Sequence, residues 1–313
     1  MLQDEFKKST PPEKPSLKYN GLMTKAFEEL SFGEKIRHKM VHDKRYILSE
    51  FADKAGIKSR VAKLIGPEYV VPTISIIENE SELNFARYPR EFVLKPTHGS
   101  QAGIIVSEQA DRLTAKILPI FGTWEKYFEI HPDDLKKSQG FATIMTRRWL
   151  KSRYRAEEEF CYRAIKPRVI IEQFIKRNSS GRFSDFRFYT FHGEAKFFRT
   201  ALGYSNDLPT YAYDEHGSLL SVKAAHDNVD YNLFPTPELP KEWVIMKSFS
   251  ESLSEGIDFV RVDFYLTDGK IYFSELTNYP QAGTIRFVPE SFDKLVSSYW
   301  EKCDCCSSQK VLR

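Results

Sequence analysis

The residues best suited to chemistry lie late in the chain. Asp263 and Glu275 sit twelve apart in FVRVDFYL-TDGK-IYFSEL, two apolar runs joined by the turn Thr267-Asp268-Gly269-Lys270. Folding a hairpin at that turn sets the two carboxylates opposite or nearly opposite each other. Two negative charges held among apolar strands are costly unless neutralised, and one divalent cation neutralises both. Oxygen-only ligands select magnesium or manganese over zinc. Asn278, just past Glu275, offers a neutral oxygen to complete such a shell. The competing reading is structural: Arg261, two residues before Asp263 and on the same strand face, forms a salt bridge with one carboxylate.

A second group is Lys95 followed by Pro-Thr-His-Gly-Ser-Gln-Ala-Gly. Gly99 and Gly103 let the backbone approach a ligand and turn its amides inward, and the lysine sets a positive charge at the loop base, which suits a polyphosphate. The alternative is a plain hairpin turn. His98 reads as a loop hydrogen bonder rather than a base. The patterns GxxxxGK[ST], GxSxG, HExxH and HRD are absent, which excludes P-loop NTPases, α/β-hydrolases, zincins and ordinary protein kinases. The seven histidines are scattered without metal-ligand spacing.

These groups need elements to hold them. Residues up to about 20 carry prolines and charges and read as an irregular lead-in. Apolar residues then recur at helical spacing (Leu22, Ala26, Leu30; Ile47, Leu48, Phe51, Ala52), which predicts several helices separated by Gly33 and Gly56. Val70, Val71 and residues 74–77 form a first strand signal, and Phe92 to Val106 reads strand, glycine turn, strand, the first strand stopping at Pro96. Residues 111–165 read as helical and charged. Their cluster Arg147, Arg148, Lys151, Arg153 and Arg155, ahead of Glu157 to Glu159, is either a solvated face or an anion-facing surface. From Val169 the pattern turns to strands, VIIEQFI, DFRFYTFHG and KFFRTAL, then a helix near 242–255 and the final hairpin. Helices and strands mix without strict alternation, so the fold class is α+β with largely antiparallel sheets.

Composition bounds the rest. With 313 residues, 41% of them hydrophobic, the chain can bury one sizeable core or two modest ones. Its 46 basic and 43 acidic residues leave a net charge of +3, too little for a dedicated nucleic-acid binder. No run of about 18 apolar residues is present, so no membrane span is expected, and the polar N-terminus lacks a secretory signal, which reads as cytoplasmic. Cys161, Cys303, Cys305 and Cys306 are too few for a disulfide framework and read as reduced thiols. Cys303 and Cys306 make a CxxC pair, but no second pair or suitably spaced histidine accompanies it. The tail reads as incidental, with thiol chemistry or lipidation as alternatives.

Taken in order, ADKAGIKSRV...GPEYVVP, FVLKPTHGSQAG, RVIIEQFI, SDFRFYTFHG and FVRVDFYLTDGKIYFSELTNYPQAG resemble the ATP-grasp superfamily, and within it the TupA-like family linked to bacterial cell-surface polymer assembly. The likeness runs from about residue 31 to residue 298. It implies two α+β subdomains clamping ATP, with a lead-in and helices over 1–50, a lid-side subdomain over 51–175 with a helical insertion near 111–165, a second subdomain over 176–298 and a cysteine tail over 299–313. It implies that Lys54 and Lys95 contact phosphate, that Gly99, Ser100 and Gly103 form a closing loop, and that Glu172, Gln173, Phe174 and Ile175 present backbone to adenine. Asp263 and Glu275 match the magnesium-binding carboxylates, with manganese also admissible. Asp185 and Arg187 are expected near ribose or phosphate, and Arg261 and Lys95 beside the transferred phosphate. Superfamily members usually carry asparagine two residues after the second carboxylate. This chain has Thr277 there and Asn278 one place later, so either residue, or a water, completes the metal shell.

The reaction this implies joins a carboxylate acceptor, a small molecule or a glycan or peptide precursor, to an amine or other nucleophile through an acylphosphate. The rivals are a sugar or polyol kinase on the same fold, and a nucleotide- or glycan-binding module without turnover. The oligomeric state is not legible.

Overall fold

The computed structural model describes residues 25–112, 127–155, 158–176, 185–201, 209–227, 229–234, 236 and 238–307. The expected lead-in before residue 25, residues 113–126 of the expected helical stretch and the tail beyond residue 307 lie outside them. Helices α1 (Phe32–His42), α2 (Ile47–Ala52) and α3 (Ile57–Ile65) precede strands β1 (Thr73–Ile77), β2 (Phe92–Pro96), β3 (Gly103–Val106) and β4 (Tyr127–Ile130). Next come α4 (Leu135–Lys151), α5 (Phe160–Arg163), β5 (Val169–Gln173), β6 (Asp185–Phe191), β7 (Glu194–Ala201), β8 (Thr210–Asp214), β9 (Leu219–Leu220) and β10 (Lys223–Ala224). The chain continues with α6 (Trp243–Ser254), β11 (Phe259–Thr267), β12 (Lys270–Thr277), β13 (Phe287–Val288), α7 (Glu290–Ser298) and α8 (Asp304–Ser307). The fold is mixed α+β.

Two main sheets carry it. A five-stranded sheet has the order β1-β5-β2-β3-β4, and a six-stranded antiparallel sheet has the order β12-β11-β6-β7-β8-β9. In the first sheet Phe92, Leu94, Ile104 and Val106 pack on Phe141, Met145 and Trp149, which recur every four residues along α4. The opposite face of β2 and β5 presents Lys95 and Glu172. The stretch expected to be helical throughout contains a strand: β4 alternates exposed and buried residues and runs parallel to β3. Its four-residue period-two signal is short beside the charged helical pattern around it.

The six-stranded sheet is covered on both faces. On one, Phe186 and Phe188 of β6 and Val260, Val262 and Phe264 of β11 pack on Ile57, Val61 and Ile65 of α3 and on Met246 and Leu253 of α6. On the other, Tyr189, Phe191 and Phe259 pack on Phe32, Ile36 and Met40 of α1, on Val296 of α7 and on Trp300. Residues 51–65, assigned by resemblance to the lid side, therefore share the core of the second sheet. Ser31 caps α1 with a reciprocal Glu34 bond of 2.8 Å. Gly33 is required by packing, because a Cβ there would lie 2.6 Å from the Gly283 carbonyl oxygen.

The described part of the cysteine tail packs, up to Cys305, on the body of the fold. Trp300 and Cys303 are fully buried, and Lys35 of α1 donates to the carbonyls of Ser297 and Trp300 at 2.8 and 2.7 Å. Cys303 and Cys305, with Cα atoms 5.3 Å apart, are joined by a disulfide, against the expectation of reduced thiols. His38 lies 4.0 Å from the Cys305 sulfur through Nδ1, so the fold supplies the histidine that linear spacing from the cysteines did not show. Among the described residues no helix is long and apolar enough to cross a membrane.

Candidate active site

The β11–β12 hairpin turns through Asp268 and Gly269, both with positive φ (50° and 75°), the backbone that a two-residue hairpin loop demands. Thr267 pairs with Lys270, a register that, continued regularly, would set Ser274 opposite Asp263. A bulge between Asp263 and Phe264 shifts the ladder by one residue and sets Glu275 there instead. Leu276 and Phe273 thereby both reach the apolar core, while Glu275 turns to the face that carries Arg261 and Asp263. The structural one of the two sequence readings, the salt bridge, is present here. Arg261 bridges the carboxylates, at 2.7 and 2.5 Å to Asp263 and 3.4 Å to Glu275. The two side chains therefore face one another across a single cation.

Burial pushes the Asp263 carboxyl up to about 6, with Glu275 and Asp185 adding to the rise and Arg261 opposing it. Glu275 is half-buried, and against the desolvation that this imposes Lys54 and Arg261 hold it below the usual carboxylate range. The two carboxyls thus differ in proton affinity, a pattern that clusters at functional sites. All neighbouring donors are oxygens: Thr277 Oγ1 lies 3.1 Å from Glu275 Oε1 and from Arg261. Asn278 lines the same cavity, but its amide nitrogen donates to the Leu48 carbonyl at 2.8 Å. Thr277, and not Asn278, is the residue bonded to Glu275.

Lysines approach from two other elements. Lys54, between α2 and α3, lies 3.9 Å from Glu275 Oε2 and donates to the Gly99 carbonyl, which ties it to the glycine loop between β2 and β3. Lys95 of β2 contacts Glu172 Oε2 at 2.5 Å. Lys58, one helical turn past Lys54, bonds the other Glu172 oxygen and the Val71 carbonyl at 2.6 Å. Burial opposes charge on Glu172, but Lys95 and Lys58 together keep it below its ordinary value. Burial likewise acts against Lys95, and Glu172 outweighs it, holding the ammonium charged.

Lys54 and the hairpin groups border a cavity of about 700 Å³ lined by Ser100, Gln101, Asp185, Arg187, Arg261, Asp263 and Glu275 among others, whereas Lys58, Lys95 and Glu172 line a separate small pocket that Lys54 also borders. Arg187 forks onto Asp185, with Nε at 3.0 Å, and the Asp185 charge raises its already high affinity for a proton. Gly103 is compact by necessity, since a Cβ would meet the Tyr127 ring at 3.0 Å and the Leu94 carbonyl at 3.2 Å. His98 is buried with Nε2 at 3.1 Å from the carbonyls of Trp149 and Ser152, the loop-bonding role its sequence suggested. Gln173 ends β5, and Phe174 and Ile175 follow it outside the strand. Glu172 differs from the expectation of backbone contact alone, because its side chain is gripped by two lysines.

Of the basic cluster that spans the end of α4 and the residues after it, Arg147 pairs with Glu80 on the surface at 2.7 Å, whereas Arg155 lines the cavity. Glu157 lies outside the described residues. Sequence reasoning missed Lys58, although its spacing of four from Lys54 in an amphipathic helix start was a usable signal. It also missed Gln281 and Ala282, consecutive left-handed residues on the cavity wall (φ 50° and 49°). Nothing in their side chains announces that backbone.

The TupA-like ATPgrasp family model matches residues 34–300. Among curated proteins none matches. Among solved structures, a D-alanine–D-alanine ligase from Bacillus anthracis is 15% identical with a TM-score of 0.41, over 84% of this chain and 71% of that one. The Helicobacter pylori D-alanine–D-alanine ligase is 13% identical (TM-score 0.38, 81% of this chain and 62% of that chain). The ATP-grasp ligase PsnB, complexed with a minimal precursor, is 9% identical (TM-score 0.38, 81% and 62%). The chain thus spans 62% of the length of the last two.

Proposed function

The chain belongs to the TupA-like ATP-grasp family, and from that premise and the cavity's geometry we propose that it is an ATP-dependent ligase activating a carboxylate. The observation that carries the proposal is the Asp263–Glu275 pair, opposed across the bulged hairpin with Lys54 3.9 Å from Glu275. Asp263 and Glu275, with Thr277 beside them, are the residues that would hold magnesium or manganese. The all-oxygen donor set and the raised Asp263 proton affinity fit such an ion. When bound, it supplies neutralisation of phosphate charge.

The chain's own residues then have distinct tasks. Lys54, Lys95 and Arg261 offer positive charge to phosphate oxyanions, and Arg187, oriented by Asp185, reaches ribose or phosphate. The backbone from Glu172 to Ile175 meets adenine, and the Gly99–Ser100–Gly103 loop closes over the phosphates and excludes water. The acceptor carboxylate oxygen attacks the terminal phosphorus, the bond to ADP breaks, and the resulting acylphosphate is displaced by a nucleophile with release of phosphate. Arg155 and the hydrogen-bonded Gln281 and His226 also line the cavity and suit a carboxylate-bearing acceptor. We assign that acceptor to the class of surface-polymer precursors, glycan or peptide, and, because the proposed reaction consumes ATP, we assign the enzyme to the cytoplasm.

The experiment is a screen of uronic-acid and glutamyl acceptors with amines under magnesium and ATP, reading free phosphate and product mass together. Acceptor-dependent phosphate with a condensed product is expected. A phosphorylated acceptor accumulating without phosphate release would assign a kinase instead. No turnover with any acceptor, together with unimpaired ligand binding by Glu275→Gln, would assign a binding module.

A further inference from the structure

We propose that His38, Cys303 and Cys305 form a second, separate metal site for a thiophilic divalent cation of the zinc class, with His42 supplying the fourth ligand. The three side chains come from opposite ends of the chain, and their ligand atoms all lie within 4.8 Å of one another. His38 Nδ1 stands 4.0 Å from the Cys305 sulfur. Bonds of about 2.3 Å to sulfur and about 2.0 Å to nitrogen set ligand-to-ligand edges of roughly 3.3 to 3.8 Å in a tetrahedron, so small side-chain rotations bring His38 and the two reduced cysteines to them. His42 follows His38 by four residues on α1 and lies against it, ring centroids 4.3 Å apart. That spacing places both imidazoles on one helix face.

Soft sulfur and imidazole nitrogen make this donor set the opposite of the all-oxygen cavity site, so the two sites select different ions. The site is also prebuilt. Asp304, between the cysteines, takes Arg45 at 2.6 Å and the Asp258 amide at 3.1 Å. Trp300 donates its indole N–H to Asp258 at 3.2 Å, and Lys35 fixes the Trp300 carbonyl. The ligand-bearing segment is thus held on α1 by contacts that need neither the disulfide nor a metal. Cys303 and Cys305 are 1% and 9% exposed, which shields the two sulfurs from competing water, while His42 lies on the solvent side.

The disulfide is the oxidised counterpart of this site. Two equivalents of a monothiol such as glutathione reduce it, giving two thiols and one oxidised monothiol dimer. Each thiol then loses a proton as it takes the cation. Metal in the reduced form locks the C-terminal segment to α1.

The test uses the full chain, reduced with a phosphine, desalted without oxygen and titrated with Co²⁺. A thiolate-to-cobalt charge-transfer band saturating at one ion per chain, displaced by Zn²⁺ and accompanied by a higher unfolding midpoint, is the expected result. His38→Asn and Cys303→Ser lose the band, and Cys306→Ser keeps it. The proposal is overturned if the reduced parent gives no such band, if both His38→Asn and Cys303→Ser retain it, or if Cys306→Ser abolishes it. The parent titration decides the matter even where a variant fails to fold.

Discussion

Arg261 is bonded to Asp263, Glu275 and Thr277 at once, so one guanidinium governs the charge of the whole hairpin face. In the proposed reaction the carboxylates are needed in their ionised form and the arginine is needed to meet phosphate. Asp263→Asn and Glu275→Gln are each expected to lower kcat for acceptor-dependent phosphate release by about 10²–10³, the scale seen when one preorganised charge-stabilising group is removed. Thr277→Ala leaves both carboxylates in place and is expected to cost less than either. Equal losses for all three in the same steady-state assay would mean that the hairpin's integrity, not its charge, is what the variants disturb.

At the level of elements, the ion cluster Lys58–Glu172–Lys95 joins α3, which packs on the six-stranded sheet, to β5 and β2 of the five-stranded one. Glu172→Gln leaves two partly buried ammonium groups without their counter-charge and is expected to cost about 3 kcal/mol in denaturant unfolding. Because the Glu172 carboxyl is held below its usual range, its contribution is complete above the unfolded value of about 4.3 and disappears as pH falls through the folded value. The variant should therefore show a flatter acid limb than the parent. An unchanged limb would remove Glu172 from the coupling. Gly33→Ala, which drives a methyl into the Gly283 carbonyl, is expected to cost about 1–3 kcal/mol by overpacking.

The same scale shows what a sequence can carry. The hairpin, its turn and the facing of Asp263 and Glu275 were legible because Asp268-Gly269 fixes a two-residue loop. The bulge that makes the facing true was not, since an extra residue leaves no mark on the composition. Strand β4 was hidden by its length, and the packing of α3 on the six-stranded sheet was not legible, because amphipathicity reveals an apolar face without naming its partner.

On the scale of the whole molecule, the cavity draws its walls from distant parts of the chain, among them the hairpin, the glycine loop of the other sheet, the Lys54 turn between α2 and α3, the start of β6 and the left-handed pair Gln281–Ala282. Linear motifs gave these parts in order, but only the fold sets Lys54 against both Gly99 and Glu275, and only the fold brings residues 300–305 back onto α1. A ligand gripped by both sheets must stabilise the folded chain by mass action, about 2.7 kcal/mol at a hundredfold excess over Kd. The most direct test is calorimetric titration of a non-hydrolysable ATP analogue into parent and Glu275→Gln protein, with and without magnesium. Tight binding that requires magnesium in the parent, and loses that requirement along with most of its affinity in the variant, is the expected result. Equal affinity in the two proteins, indifferent to magnesium, would contradict a metal and nucleotide site built on Asp263 and Glu275.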